Sequence, residues 1–334
     1  MASNPLAGLL ADRSGRPRLV ISILAGLAAL GFAGFTLAEG FWTLLLLQVV
    51  TAAFAQALLP LGESRTLSMV RARGLDYGRI RLWGSVSFVV GVLGIGGLLD
   101  LVPLATLPWI LAASLFLTLC ATLALPRAIE DPEPGTRGAL KALLADRPLR
   151  WVLVAAALIQ ASHAAYYAFS AIAWKAAGLS TLTIGILWTE GVLAEIAFFA
   201  LSRRLLARVS LRGLLIAAAL GGLLRWSVTA FTVALPALAL IQLLHAATFA
   251  AAHLAAVHFI AARAPKGLAA TGQGLYAGLS GVAMGAMMLA AGPLYDRFGL
   301  GSFGFMVAVC ALALTVILVA PGRPGAEAMG DRPA

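Results

Sequence analysis

The run Leu182-Thr183-Ile184-Gly185-Ile186-Leu187-Trp188-Thr189-Glu190-Gly191-Val192-Leu193-Ala194-Glu195-Ile196-Ala197-Phe198-Phe199-Ala200-Leu201-Ser202 decides the fold. As a helix it is long enough to cross the roughly 30 Å hydrocarbon core of a bilayer. Two carboxylates, Glu190 and Glu195, stand inside it. An acid at the centre of a spanning helix costs on the order of 2.5–3.5 kcal/mol on insertion scales, so its presence asks for a function. The next two apolar segments supply partners: Arg225 in the first, His245 and His253 in the second. Acid, guanidinium and imidazole on three consecutive spans is the chemistry of a proton- or ion-coupled carrier.

Depth along these segments can be counted. Glu190, Arg225 and His245 each fall about eight or nine residues from the same end of their spans, some 12–14 Å in at 1.5 Å per residue. Glu195 and His253 form a second layer about 8–12 Å deeper. Glu190 and Glu195 are about 140° apart around a helix and cannot share a face, whereas His245 and His253 lie within about 80° of each other. Either glutamate could pair with Arg225. His163, with Tyr166 and Tyr167, is a further candidate for a cavity wall or for core packing.

Working outward, 61% of the 334 residues are apolar and 11% charged, against about 25% charged in a soluble domain. The chain is expected to be an all-α polytopic membrane protein. Runs of about 18 or more apolar residues mark about ten spans, at 19–38, 42–62, 82–101, 104–125, 150–172, 181–202, 212–233, 236–262, 269–291 and 301–320. All lysines and arginines except Lys175, Arg225 and Arg297 fall on the connections 11–18, 63–81, 126–150, 203–212 and 263–267 and on the tail after 320. This alternation places those connections and the C-terminus in the cytoplasm. It also explains the net charge of +10 as topology, with no nucleic-acid partner. Met1 to Leu10 lack the basic start and apolar core of a cleavable signal. Cys120 and Cys310 each lie within a span and imply neither a disulfide framework nor a metal site.

The connection beginning at Pro126, rich in proline and in charges of both signs, divides the chain. The expected organisation is an N-terminal bundle over 1–125, a cytoplasmic linker over 126–149, a six-helix bundle over 150–320 and a tail over 321–334. A Gly-x-Leu-x-Asp pattern recurs as Gly8 to Asp12, as Gly96-Gly97-Leu98-Leu99-Asp100 and as Gly292-Pro293-Leu294-Tyr295-Asp296. By the loop charges the first copy is cytoplasmic and the other two are outside, as inverted three-helix repeats require.

The segment Gly8-Leu9-Leu10-Ala11-Asp12-Arg13-Ser14-Gly15-Arg16-Pro17-Arg18 resembles the signature loop between helices 2 and 3 of the major facilitator superfamily. Asp76-Tyr77-Gly78-Arg79-Ile80-Arg81-Leu82-Trp83-Gly84-Ser85 resembles the start of helix 5 in its phenylpropionate-permease-like branch, related to lactose permease and the nucleoside:proton symporters. Gly191 to Glu195, Leu224-Arg225-Trp226 and Gln242 to Phe249 look like the same branch. The resemblance implies two helical bundles, and the numbering it suggests leaves the first helix and most of the second absent before Gly8. It also implies a gating loop made by Gly8, Asp12, Arg13, Gly15 and Arg16, which stabilises one conformation and does not bind substrate. Gly91 to Gly97 lack the Gly-Pro pair that antiporters of the superfamily tend to carry. Glycines spaced along 272–285 allow close helix packing around Gln273 and Tyr276.

The expected function is secondary transport by alternating access, with proton-coupled uptake of a small organic solute of the aromatic-acid, sugar or nucleoside class. The pathway residues are Glu195, Glu190, Arg225, His245, His253 and Gln273, in a monomer in the bacterial inner membrane. The alternatives are a proton-coupled exporter of amphipathic compounds and an inactive truncated transporter. No HExxH, nucleophile–base pair, haem-spaced histidine pair or nucleotide loop is present, so no enzyme, cofactor or metal is expected.

Overall fold

The computed structural model describes residues 3–99, 102–125, 139–265 and 267–320. All regular structure among them is helical. In chain order the helices are α1 (Ser3–Ser14), α2 (Pro17–Gly34), α3 (Phe41–Arg73), α4 (Tyr77–Leu99), α5 (Leu107–Ala124), α6 (Ala139–Ala145) and α7 (Arg147–Ala161). They continue as α8 (Ala164–Ala176), α9 (Thr181–Leu206), α10 (Leu211–Phe231), α11 (Leu235–Gln242), α12 (Ala252–Arg263), α13 (Ala269–Phe298) and α14 (Phe303–Val319).

Eight helical stretches among the described residues are long and apolar enough to cross a membrane. One of them, Ala269–Val319, is 51 residues long and contains both α13 and α14. With those two and α4 taken separately, helix covers each of the ten expected spans apart from a few end residues. Local chemistry sets the ends. Asp146, Ser180 and Ser210 each accept a hydrogen bond from the backbone N–H three residues on, which caps α7, α9 and α10. Pro17 opens α2, and Gly74, at φ 64°, closes α3 in the left-handed conformation that glycine adopts without steric penalty.

Three departures from the expected pattern matter. The connection expected from 63 is helix as far as Arg73, so the charged segment Glu63-Ser64-Arg65 is buried on α3 and not in a loop. The span expected at 150–172 breaks between α7 and α8. There Ser162 Oγ donates to the Ile159 carbonyl and His163 Nδ1 lies against those of Ile159 and Gln160, so side chains take acceptors from the helical ladder. The span expected at 236–262 is interrupted by a π-helical segment, Ala246–Ala251, between α11 and α12. Such wide turns are rare and occur mostly at functional sites.

By internal contacts the chain forms two compact units. One comprises Met1–Leu75, Val90–Ala145 and Ala264–Gly278; the other comprises Asp76–Val89, Asp146–Arg263 and Leu279–Ala334. In the first, α2 packs on α3 and α5, and α1 on α3, around Ala11, Val20, Ile21, Ala57 and Leu61. In the second, α10 packs against α14, α7 and the π segment, around Trp174, Leu187, Trp226, Leu238, Phe303 and Met306. Large apolar side chains such as Trp42, Phe231 and Leu289, each more than 75% exposed, leave an outer surface suited to lipid. Residues 126–138 of the expected linker, the tail 321–334 and Asp100 of the second Gly-x-Leu-x-Asp copy lie outside the described residues. The first and third copies lie in the later turns of α1 and α13.

Candidate functional site

Arg225, on α10, is the hub of a polar network inside the second unit. It is 1% exposed. Its guanidinium is stacked between the rings of Tyr166 and Trp226, with the central carbon 4.6 Å from each centroid. Nη2 donates to Gln242 Oε1 at 2.7 Å, and Nη1 donates to Thr248 Oγ1 and His245 Nδ1, both at 3.1 Å. Gln242 passes the chain on by donating to Tyr166 Oη at 2.8 Å, and Trp188 stacks on the outer face of that ring at 4.8 Å. Among the described residues no carboxylate pairs with Arg225, and its Nε has no acceptor. A buried cation is thus held by neutral dipoles and aromatic faces alone.

Because a guanidinium can only donate, His245 Nδ1 must accept, which puts the ring proton on Nε2. That nitrogen faces Glu195 Oε2 at 3.6 Å. The other carboxylate oxygen, Oε1, accepts from Ser85 Oγ on α4 at 2.6 Å. Glu195 is 6% exposed; its two buried neighbours, Ser85 and His245, are uncharged donors, and Arg81 on α4 adds a positive charge that acts on it. Gly191 allows this approach, since a Cβ there would lie 3.3 Å from that of His245. Beside it, His163 Nε2 meets Thr248 Oγ1 at 3.1 Å. As its Nδ1 faces only carbonyl oxygens, that nitrogen carries a proton.

The structure therefore brings Glu195, Arg225 and His245 together. Glu190 is apart from them: it is partly exposed and makes no hydrogen bond or ion pair among the described residues. Glu190→Gln is accordingly expected to leave the initial rate of transport within about twofold of the parent, in the range of a surface change away from structural features. A tenfold loss in an uptake assay would return Glu190 to the site. His253 lies further along the helix, with Nε2 3.2 Å from Tyr77 Oη and its ring stacked on Phe249. Gln273 is buried on the part of α13 that belongs to the first unit.

Sequence reasoning passed over Ser85, Gln242 and Thr248 as site residues. A usable signal existed for two of them: Gln242, His245 and Thr248 recur at three-residue spacing on one apolar segment. For Ser85 there was none, because a serine in a helix usually bonds to its own backbone, as Ser87 does to the Trp83 carbonyl.

In the first unit, Asp12 at the end of α1 caps α13. Its carboxylate accepts from the backbone N–H of Ala270 and of Thr271, at 3.2 and 2.7 Å, and from the Thr271 hydroxyl. Gly8 and Gly274 make this contact possible. A Cβ on Gly8 would lie 2.4 Å from the Ala270 carbonyl oxygen, and one on Gly274 2.4 Å from that of Asn4. Gly15 turns the chain at φ 61°, and Arg13 and Arg16 are exposed.

A polytopic helical protein with ionisable groups committed to a buried network, and a helix-capping contact between α1 and α13, is a membrane transporter in its architecture. The sequence model of the MFS_1-like family matches residues 1–312, and the chain belongs to that family. It is 37% identical over 320 residues to a probable 3-phenylpropionic acid transporter of Escherichia coli (strain K12), covering 92% of this chain and 82% of that one. It is 28% identical over 322 residues to the maltose permease of Geobacillus stearothermophilus, covering 96% and 82%. The fold is similar to that of the Escherichia coli fucose:proton symporter, with a TM-score of 0.69 at 15% identity over 96% of this chain and 88% of that one. The protein is a secondary transporter of small organic solutes in the major facilitator fold.

Proposed function

We propose that this chain takes up a small organic acid together with protons by alternating access, with Glu195 as the proton-carrying group and Arg225 as the anchor for the acid. The observation that carries this reading is the separation of the two charges. Arg225 has no acid partner among the described residues, and Glu195 is hydrogen-bonded to Ser85, faces the neutral His245 and lies in the field of Arg81 on α4. A carboxylate in hydrocarbon carries its charge at a penalty that protonation removes, so a glutamate held in this way can exchange its proton as the protein cycles. Ser85 fits both forms, since a hydroxyl donates to a carboxylate and accepts from a carboxylic acid. The relative at 37% identity is described as a 3-phenylpropionic acid transporter, and a buried guanidinium flanked by Tyr166 and Trp226 suits an aromatic carboxylate.

The orientation proposed places the basic connections and the C-terminus in the cytoplasm, in a bacterial inner membrane, with the monomer as the transporting unit. The expected bundles, 1–125 and 150–320, are then the two bodies that alternate. The test uses purified protein in proteoliposomes, an inward proton gradient and labelled 3-phenylpropionate. Glu195→Gln is expected to reduce accumulation to the equilibrium level while substrate exchange between the two sides persists. Uphill accumulation by the variant would remove Glu195 from the proton pathway.

A further inference from the structure

Building on the reading of Arg225 as the anchor for an organic acid, we infer that Gln242 is a specificity-determining place-holder: its side-chain amide occupies the fork of Arg225 and yields it to the carboxylate of the substrate. A guanidinium presents its Nε and Nη2 protons side by side, an edge that matches the two oxygens of a carboxylate. In this chain that edge is half used. Nη2 donates to Gln242 Oε1 at 2.7 Å, while Nε, in a side chain 1% exposed, has no acceptor among the described residues. A buried donor left unpaired is unfavourable, and the amide cannot relieve it, because its one oxygen is already engaged by Nη2. The nitrogen of the same amide donates to Tyr166 Oη at 2.8 Å. The place the amide fills therefore lies between Nη2 and a phenol that can also donate to a carboxylate.

The other contacts of Arg225 keep the fork in position when the amide leaves. Nη1 donates to His245 Nδ1 and Thr248 Oγ1, and the plane is fixed between Tyr166 and Trp226. Gln242 itself stands where its backbone is least regular. It is the last residue of α11. Beyond it the Leu244 N–H bonds to the Ile241 carbonyl and the Ala246 N–H to that of Leu243, each three residues back, before the π segment begins. Such short bonds within a helix often mark a hinge, so a local change of backbone can carry the amide away. Displacement then decides which ligands bind. A neutral amide or alcohol exchanges one bond to Nη2 for another and gains nothing. A carboxylate exchanges one bond for two and brings a negative charge, and the added bond to Nε alone favours it by about 10- to 100-fold.

Equilibrium binding of labelled 3-phenylpropionate to the purified protein tests this, together with the melting temperature of each variant. Gln242→Ala removes the competing oxygen, and is expected to bind the probe about tenfold more tightly than the parent. It is also expected to admit unlabelled 3-phenylpropionamide as a competitor, which the parent rejects. Gln242→Glu sets a permanent carboxylate on the fork, and is expected to lose binding by about 100-fold or more while melting no lower than the parent. A folded Gln242→Ala protein that binds the probe no more tightly than the parent overturns the inference. Should that variant fail to fold, Gln242→Glu decides. A melting temperature below the parent's, or binding within about twofold of it, overturns the inference and leaves the acid substrate standing. Absence of saturable binding of the probe to the parent would instead overturn the underlying reading, and this inference with it.

Discussion

Arg225→Lys is expected to reduce transport by at least about 100-fold while the protein still folds. The charge is conserved, so the loss isolates geometry. The guanidinium reaches Gln242, Thr248 and His245 from two nitrogens of a rigid fork, held flat between Tyr166 and Trp226. An ammonium is a single point that cannot reach all three acceptors and stacks less well. Hydrogen bonds to a charged group contribute about 1.5–3 kcal/mol each, so losing two weakens the site by about two to four orders of magnitude. A second effect follows through His245. Without a donor fixed on Nδ1, the ring can adopt the other tautomer and turn a bare nitrogen toward Glu195. Uptake of 3-phenylpropionate and the melting temperature, measured on the same preparation, separate the outcomes. Uptake within threefold of the parent would mean that only the charge matters; a collapse in melting temperature would mean that the fork is structural.

Gly8→Ala is expected to cost stability out of proportion to the single methyl group it adds. The added Cβ would lie 2.4, 2.7 and 2.8 Å from Ala270 O, Ala270 C and Thr271 Cα, all of them backbone atoms that cannot rotate aside. The helices must separate. Overpacking of this kind costs about 1–3 kcal/mol, and separation also pulls Asp12 away from its donors on Ala270 and Thr271. Together these are expected to lower the melting temperature by several degrees at least. Asp12→Ala removes the same cap without the clash. The two changes break one contact, so the double variant should be little worse than Gly8→Ala alone. Full additivity in a thermal-shift assay would show that the glycine and the aspartate act at separate places.

The difference between what could and could not be read from the sequence has physical causes. Glu195 and Arg225 announce themselves because a charge within an apolar run has few bland explanations. The partner of Arg225 did not follow from depth: Glu190 was counted at the same level and yet makes no contact with it, because depth fixes height along a helix and not direction around it. Direction was further altered by the π segment, whose sequence Ala-Ala-Thr-Phe-Ala-Ala contains no glycine or proline to mark it. The extension of α3 through Glu63 and Arg65 was hidden for the opposite reason. Those charges read as a solvent loop, whereas the helix runs on to Gly74. An apolar run of some twenty residues, by contrast, is a sum over many residues, and helix covers each of the spans so read apart from a few residues.

The π segment has a consequence for the length of this helix. Inserting one residue into a regular helix rotates everything beyond it by about 100° and would scramble the faces on either side. A wide turn stores the extra residue locally, so Gln242 before it and His253 after it keep their facing while the chain grows longer by one. Removing one residue between 246 and 251 is therefore expected to turn Gln242 and His253 relative to each other and to shift Thr248 away from Arg225.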